Sequence, residues 1–140
     1  MGSVVLIDQL SKFLVLRYLS PQASVSLIPQ VLDLTLVKNP GVAFGLFSGS
    51  APVLLTVITI SLVLLFLIAN RSRGSSVADR WALSLILGGA IGNWIDRLRF
   101  GVVIDFLDFR IWPVFNVADT AITIGVCLYF IRVLTSKEKT

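Results

Sequence analysis

The stretch GNWIDRLRFGVVIDFLDF, residues 92–109, holds three Asp and two Arg in eighteen positions. The whole chain has eight acidic residues; seven are Asp, and the single Glu, Glu138, lies in a polar tail. There is no His, and the one Cys, Cys127, sits in an apolar run. Those absences exclude Ser-His and Cys-His dyads, HExxH zinc sites and an internal disulfide. Chemistry is left to Asp, supported by Asn, Arg, Lys, Ser, Thr or Tyr. Asp105, in the apolar run GVVIDFLDF, and Asp119, in FNVAD, come from separate segments that can converge. Two carboxylates about 3 Å apart cannot both ionise cheaply, so one is left as base and the other as acid. That division of labour is what activation of water requires. Plainer uses stay open: Asp119 as a helix cap, and Asp108 as a partner of Arg110 or a group facing water.

The other polar residues fall into two sets. Asn93, Asp96 and Arg97 follow one another at i, i+3 and i+4 and can point into one site; Asn116 and Asp119 are also i, i+3. Arg97 beside Asp96 favours an ionised, structural carboxylate. Asp8 and Lys12 are i, i+4 with the acid first, the better order for a helix pair, and read as a buried ion pair anchoring the first helix. Arg17, near the end of that helix, can snorkel.

These groups must be positioned by an apolar frame. The chain of 140 residues is 56% hydrophobic and 14% charged, with mean hydropathy +0.90. Soluble domains carry about 25% charged residues, so the composition fits a small polytopic membrane protein of one domain, residues 1–140. Residues 51–70 form twenty uncharged residues, the length that crosses about 30 Å of hydrocarbon. Weaker spans cover residues 4–19, 81–98 and 117–134. Gly88 and Gly92 give a small-xxx-small pattern for close helix packing. The basic residues Arg71, Arg73 and Arg80, then Arg132, Lys137 and Lys139, flank spans; with no aromatic-interleaved groove, nucleic acid is excluded as a partner. The positive-inside tendency puts loop 70–80 and both termini in the cytoplasm. The outer connections are then about 20–50 and 99–116. Residues 31–47 alternate with period two and break at Asn39-Pro40-Gly41, which reads as a hairpin or small sheet. Residues 101–115 read as a strand, or as an amphipathic piece with Trp112 at headgroup depth. The expected fold is thus all-α in the membrane: four transmembrane helices, a small extracytoplasmic β-sheet and an outer amphipathic segment.

The blocks DQLSK (8–12), NPGVAFGLF (39–47), GGAIGNWIDRLRFGVVIDF (88–106) and FNVADTAITIG (115–125) resemble, in order, those of the lipoprotein signal peptidase family, bacterial signal peptidase II. The resemblance implies an intramembrane aspartic peptidase of the bacterial inner membrane. It would cut signal peptides from prolipoproteins just before a cysteine that carries diacylglycerol. Asp105 and Asp119 match the family's catalytic pair, with Asp96 the rival for the first role. Asn93, Arg97 and Asn116 match residues lining the family's site; Asp8 and Lys12 match its first block; Asn39 and Gly41 match the segment that covers the substrate. No metal or cofactor is implied. The implied partners are lipid-modified signal peptides, membrane lipid and globomycin-type inhibitors, with the chain expected as a monomer and the site near the extracytoplasmic face. The apolar run before Asp8 is shorter than the family's, and helix 1 is expected to be cut short at its start. The competing classes are a small transporter or proton relay using Asp8, Asp96 and Asp119, and a Mg²⁺-dependent phosphotransferase, which needs several carboxylates together. The G-x-G-D signature of presenilin-type proteases is absent.

Overall fold

The computed structural model describes residues 1–20, 23–41, 51–71 and 76–136. The elements run α1 (Gly2–Tyr18), β1 (Ser24–Ile28), β2 (Leu32–Asn39), α2 (Ala51–Arg71), α3 (Val77–Phe100), β3 (Val103–Asp108) and α4 (Val117–Ser136). Each expected span lies on a helix. By length and composition one described helix segment, Val117–Thr135, suffices to cross a membrane, and Leu55–Leu67 is a shorter apolar stretch. α1 and α3 are interrupted by the charged residues on which the site depends.

The distribution of polarity is the reverse of a soluble domain's. Leu6, Leu10 and Phe13 on α1, Ile60 and Phe66 on α2, and Phe130 on α4 are all exposed. The buried set includes Asp8, Lys12, Asn93, Asp96, Arg97, Asp105 and Asn116. Charged groups are almost never fully buried in water-soluble proteins unless paired, and contiguous apolar surface marks a surface covered by lipid or protein.

α3 is the central helix, packing on α1, α2, α4 and β3. Its start is fixed by a capping box: the Ser76 hydroxyl accepts from the Asp79 N–H, and the Asp79 carboxylate accepts from the Ser76 N–H. Arg132 of α4 reaches the same cap, donating to the Ser76 hydroxyl at 3.2 Å. At the other end Gly101 closes the helix with φ +71, a left-handed conformation that favours glycine. Between these ends glycines set the helix spacing. A Cβ at Gly89 would stand 2.3 Å from the Ala118 carbonyl oxygen of α4. A Cβ at Gly88 would stand 2.8 Å from Val4 Cβ of α1, and one at Gly92 would stand 2.5 Å from Asp8 Oδ2. The small-residue pattern therefore seats two helices on α3 and leaves room for an acid.

The sheet is antiparallel in the order β1-β2-β3. The hairpin turns at residues 29–31, so one partner of the 31–47 alternation, β1, precedes it. The remainder of that covering segment, residues 42–47, lies outside the described residues, as do Arg73 and the basic tail from 137. β2 also pairs with β3, placing Asn39 opposite Val103 and Val37 opposite Asp105. Asn39 and Asp105 are diagonal neighbours on one face. After β3 the chain doubles back, and the Phe115 N–H donates to the Leu107 carbonyl at 3.1 Å. In the intervening loop Ile111 is 92% exposed and Trp112 65% exposed. Arg110 does not use its side chain on Asp108. Its Nε donates to Asp33 at 2.8 Å, and this guanidinium holds the Asp33 carboxyl below the usual range, while the Arg110 N–H takes Asp108.

The close approach of α3 and α4 yields a measurable contrast. Gly89→Ala should lower the thermal midpoint in detergent, by the equivalent of about 1–3 kcal/mol, because a helix backbone must move. Gly2→Ala, with nothing within 4 Å, should leave the midpoint unchanged.

Candidate active site

Asp105 comes from β3 and Asp119 from the first turn of α4, and both line one cavity of about 450 Å³. They are the only acids among its described lining residues. Asn93 and Arg97 of α3, Thr123 of α4, Asn39 and Gly41 supply the remaining polar wall. Ile58 of α2, Ala90 of α3, Ile122 of α4 and the run from Trp112 to Phe115 supply the apolar wall.

Every carboxylate oxygen of the two acids faces a donor. Asp105 Oδ1 accepts from Asn116 Nδ2 at 2.6 Å, and Oδ2 accepts from Asn39 Nδ2 at 2.9 Å. Asp119 Oδ1 accepts from Asn93 Nδ2 at 2.7 Å, and Oδ2 accepts from the Asn116 N–H at 3.3 Å. The Asn116 side-chain oxygen in turn accepts from the Asp119 N–H at 2.9 Å, so the two residues form a capping box on α4. Asp119 thus caps a helix and faces the cavity at once. Burial pushes the Asp105 carboxyl up to about 6, helped by the nearby Asp119 charge and opposed by its Asn39 and Asn116 donors.

Behind this pair lies a second group of charges. Lys12 Nζ sits 2.9 Å from Asp8 Oδ2 and 2.8 Å from Asp96 Oδ2, and donates to Asn93 Oδ1 at 3.0 Å. Asp8 Oδ1 accepts from the Ala118 N–H at 2.9 Å, and Asp96 Oδ2 accepts from the Ile104 N–H at 3.1 Å. The expected ion pair is therefore a trio. Asp96 is tied to Lys12 rather than to Arg97, because consecutive helix residues point in different directions. Arg97 instead donates to the Gly41 carbonyl at 3.0 Å and to the Asn93 carbonyl at 3.3 Å. Asn93 faces the cavity, while Asp8, Lys12 and Asp96 lie beneath it. Among the described residues no group of three His, Cys, Asp or Glu is placed to hold a metal ion.

Two features escaped the sequence reading. Gln9 bridges the trio, donating to Asp96 Oδ1 at 2.9 Å and to the Gly92 carbonyl at 3.1 Å. Its place inside DQLSK was the available signal. The apolar wall gave none, because Ile58 and Ile122 read like any lipid-facing residue.

Known proteins resemble this chain over nearly its whole length. The family model described as Signal peptidase (SPase) II matches residues 1–135. A lipoprotein signal peptidase of Halothermothrix orenii is 44% identical over 138 residues, 97% of this chain and 92% of that protein. One of Moorella thermoacetica is 45% identical over 125 residues, 89% of this chain and 83% of its own. A solved structure described as a bacterial membrane enzyme, obtained by the in meso method at 2.3 Å resolution, matches with a TM-score of 0.88. It is 31% identical, and the match covers 99% of this chain and 87% of that one. With these likenesses spanning nearly its whole length, the chain belongs to the signal peptidase II family, whose members are membrane-bound peptide hydrolases.

Proposed function

We propose that the chain is a membrane-embedded aspartic endopeptidase that removes signal peptides from diacylglyceryl-modified prolipoproteins, cutting just before the lipidated cysteine. One observation carries this reading: Asp105 and Asp119 face the same half-apolar cavity from different elements, each held by amide donors. In the proposed reaction the pair shares one proton and binds a water. The ionised carboxylate takes a proton from the water as its oxygen attacks the scissile carbonyl. The protonated carboxyl gives its proton to the carbonyl oxygen, forming a tetrahedral diol. Collapse breaks the C–N bond and the leaving amine takes a proton from the pair, while the diol returns its own. No step needs a metal or a nucleophilic side chain.

Arg97 supports the binding half of this reading. It lines the cavity and is 8% exposed, yet its Nε has no hydrogen-bond partner among the described residues. A substrate backbone carbonyl would satisfy it. Asn39, Gly41, Asn93 and Asn116 frame the same space. In the proposed topology all four helices cross the bacterial inner membrane with both termini in the cytoplasm. The acids then lie near the outer face, and the acyl chains of the substrate stay in the lipid. All the site residues come from one chain, so a monomer suffices. The apolar wall would also seat a globomycin-type cyclic peptide.

Asp105→Asn and Asp119→Asn should each lower cleavage of a diacylglyceryl-modified prolipoprotein by about 10²–10⁴-fold in detergent, with the protein still folded. EDTA should leave the wild type active. Undiminished cleavage by either variant removes the dyad.

Acidity gives a second test. The cavity favours neutral Asp105, so the site loses its shared proton as pH rises through about 6. Folding stability falls over the same interval, from the ordinary value of 3.8 upward, because the folded state resists the charge. Asn39 donates to the ionised form. Asn39→Ala should therefore move the basic limb of the kcat/KM profile to higher pH; an unmoved limb would show that this hydrogen bond does not tune the pair.

A further inference from the structure

We infer that Lys12 is a positioning residue for the reaction: its ammonium fixes which end of the Asn93 amide faces Asp119, and so keeps a donor on that acid. This rests on the assignment of Asp105 and Asp119 as the reacting pair.

The inference starts from what an ammonium can do. Lys12 is 2% exposed and does not line the cavity, so it cannot touch a substrate there. It has three N–H donors and no acceptor. Two go to Asp8 and Asp96, which balance its charge. The third goes to Asn93 Oδ1 at 3.0 Å, and Asn93 bears no charge.

That third bond settles an ambiguity built into asparagine. The amide oxygen and nitrogen are nearly the same size, and a half-turn exchanges an acceptor for a donor. Beside an ammonium only the oxygen can face inward. The nitrogen must then face Asp119 Oδ1, which it meets at 2.7 Å. The same Asn93 oxygen accepts from Asn116 Nδ2 at 3.1 Å. The backbone fixes the second amide, its oxygen on the Asp119 N–H at 2.9 Å and its nitrogen on the Ile104 carbonyl at 3.3 Å, which leaves that nitrogen on Asp105 at 2.6 Å. The cation thereby sets the polarity of the Asn93 amide and presents its donor to Asp119. With an uncharged side chain at position 12 the Asn93 amide can turn, and its oxygen would then oppose the Asp119 carboxylate.

A double-mutant cycle tests this on the full chain in detergent, with a diacylglyceryl-modified prolipoprotein as substrate. Lys12→Met should lower kcat at least about tenfold with KM within about twofold, because geometry is lost but the binding wall is intact. Asn93→Ala should lower kcat as well. The combined variant should be no slower than Asn93→Ala alone, because Lys12 then has nothing left to orient. Losses that multiply would overturn the inference, as would a loss confined to KM or a Lys12→Met variant with full kcat. Removing the cation leaves two buried carboxylates together, so Lys12→Met by itself is at risk of misfolding. In that event the cycle is run in an Asp96→Asn background, where one of those charges is gone, and the same outcomes decide. Normal cleavage by Asp105→Asn or Asp119→Asn sinks the dyad itself. If both are inactive while Lys12→Met keeps full kcat, the dyad stands and only the role of Lys12 is lost.

Discussion

A single buried ammonium organises this structure. Lys12 touches Asp8 on its own helix and Asp96 and Asn93 on α3. The two acids pass the constraint onward, Asp8 to the start of α4 and Asp96 to the start of β3. Four elements are thus keyed to one cation. Such a cluster is a poor source of net stability, since withdrawing ions from water costs several kcal/mol each. Its value lies in intolerance: a helix that slides by one turn leaves a charge unpaired in a low-dielectric interior. In an apolar environment, where burying a leucine gains little between helices, that penalty selects one arrangement.

The glycines of α3 make this possible. Gly92 lets Asp8 come against the α3 backbone, and Gly88 and Gly89 admit the close approach of α1 and α4. Polar contacts between helices are short-ranged, so the acids and amides can meet only if backbones approach first. The packing and the polar chemistry are therefore one device read at two scales.

The sequence carried the helices and most of the polar centre. Long apolar runs located α2 and α4, and the spacing of Asp8 and Lys12 announced an internal ion pair before any partner was known. What it concealed depended on direction and distance. The i, i+1 neighbours Asp96 and Arg97 look paired in a string of letters, yet they serve different partners. β1 is short and exposed along its whole length, so its alternation was too weak to mark it as the partner of β2. The choice between cap and cavity-facing acid for Asp119 had no answer in sequence, because the residue caps α4 and faces the cavity at once.

That double occupancy stiffens the part of the cavity wall that α4 supplies. Asp119 and Asn116 close the first turn of α4 upon themselves, and Asp8 clamps the next N–H along. Fraying this turn to accommodate a bulky guest would dismantle the acid it carries. If the cavity receives signal peptides as proposed, adaptation to different ones would fall to its apolar lining, where Ile58 and Trp112 offer shape alone. An enzyme built this way would be exacting about where it cuts and lenient about which chain it cuts, with tolerance housed in residues that take no part in the chemistry.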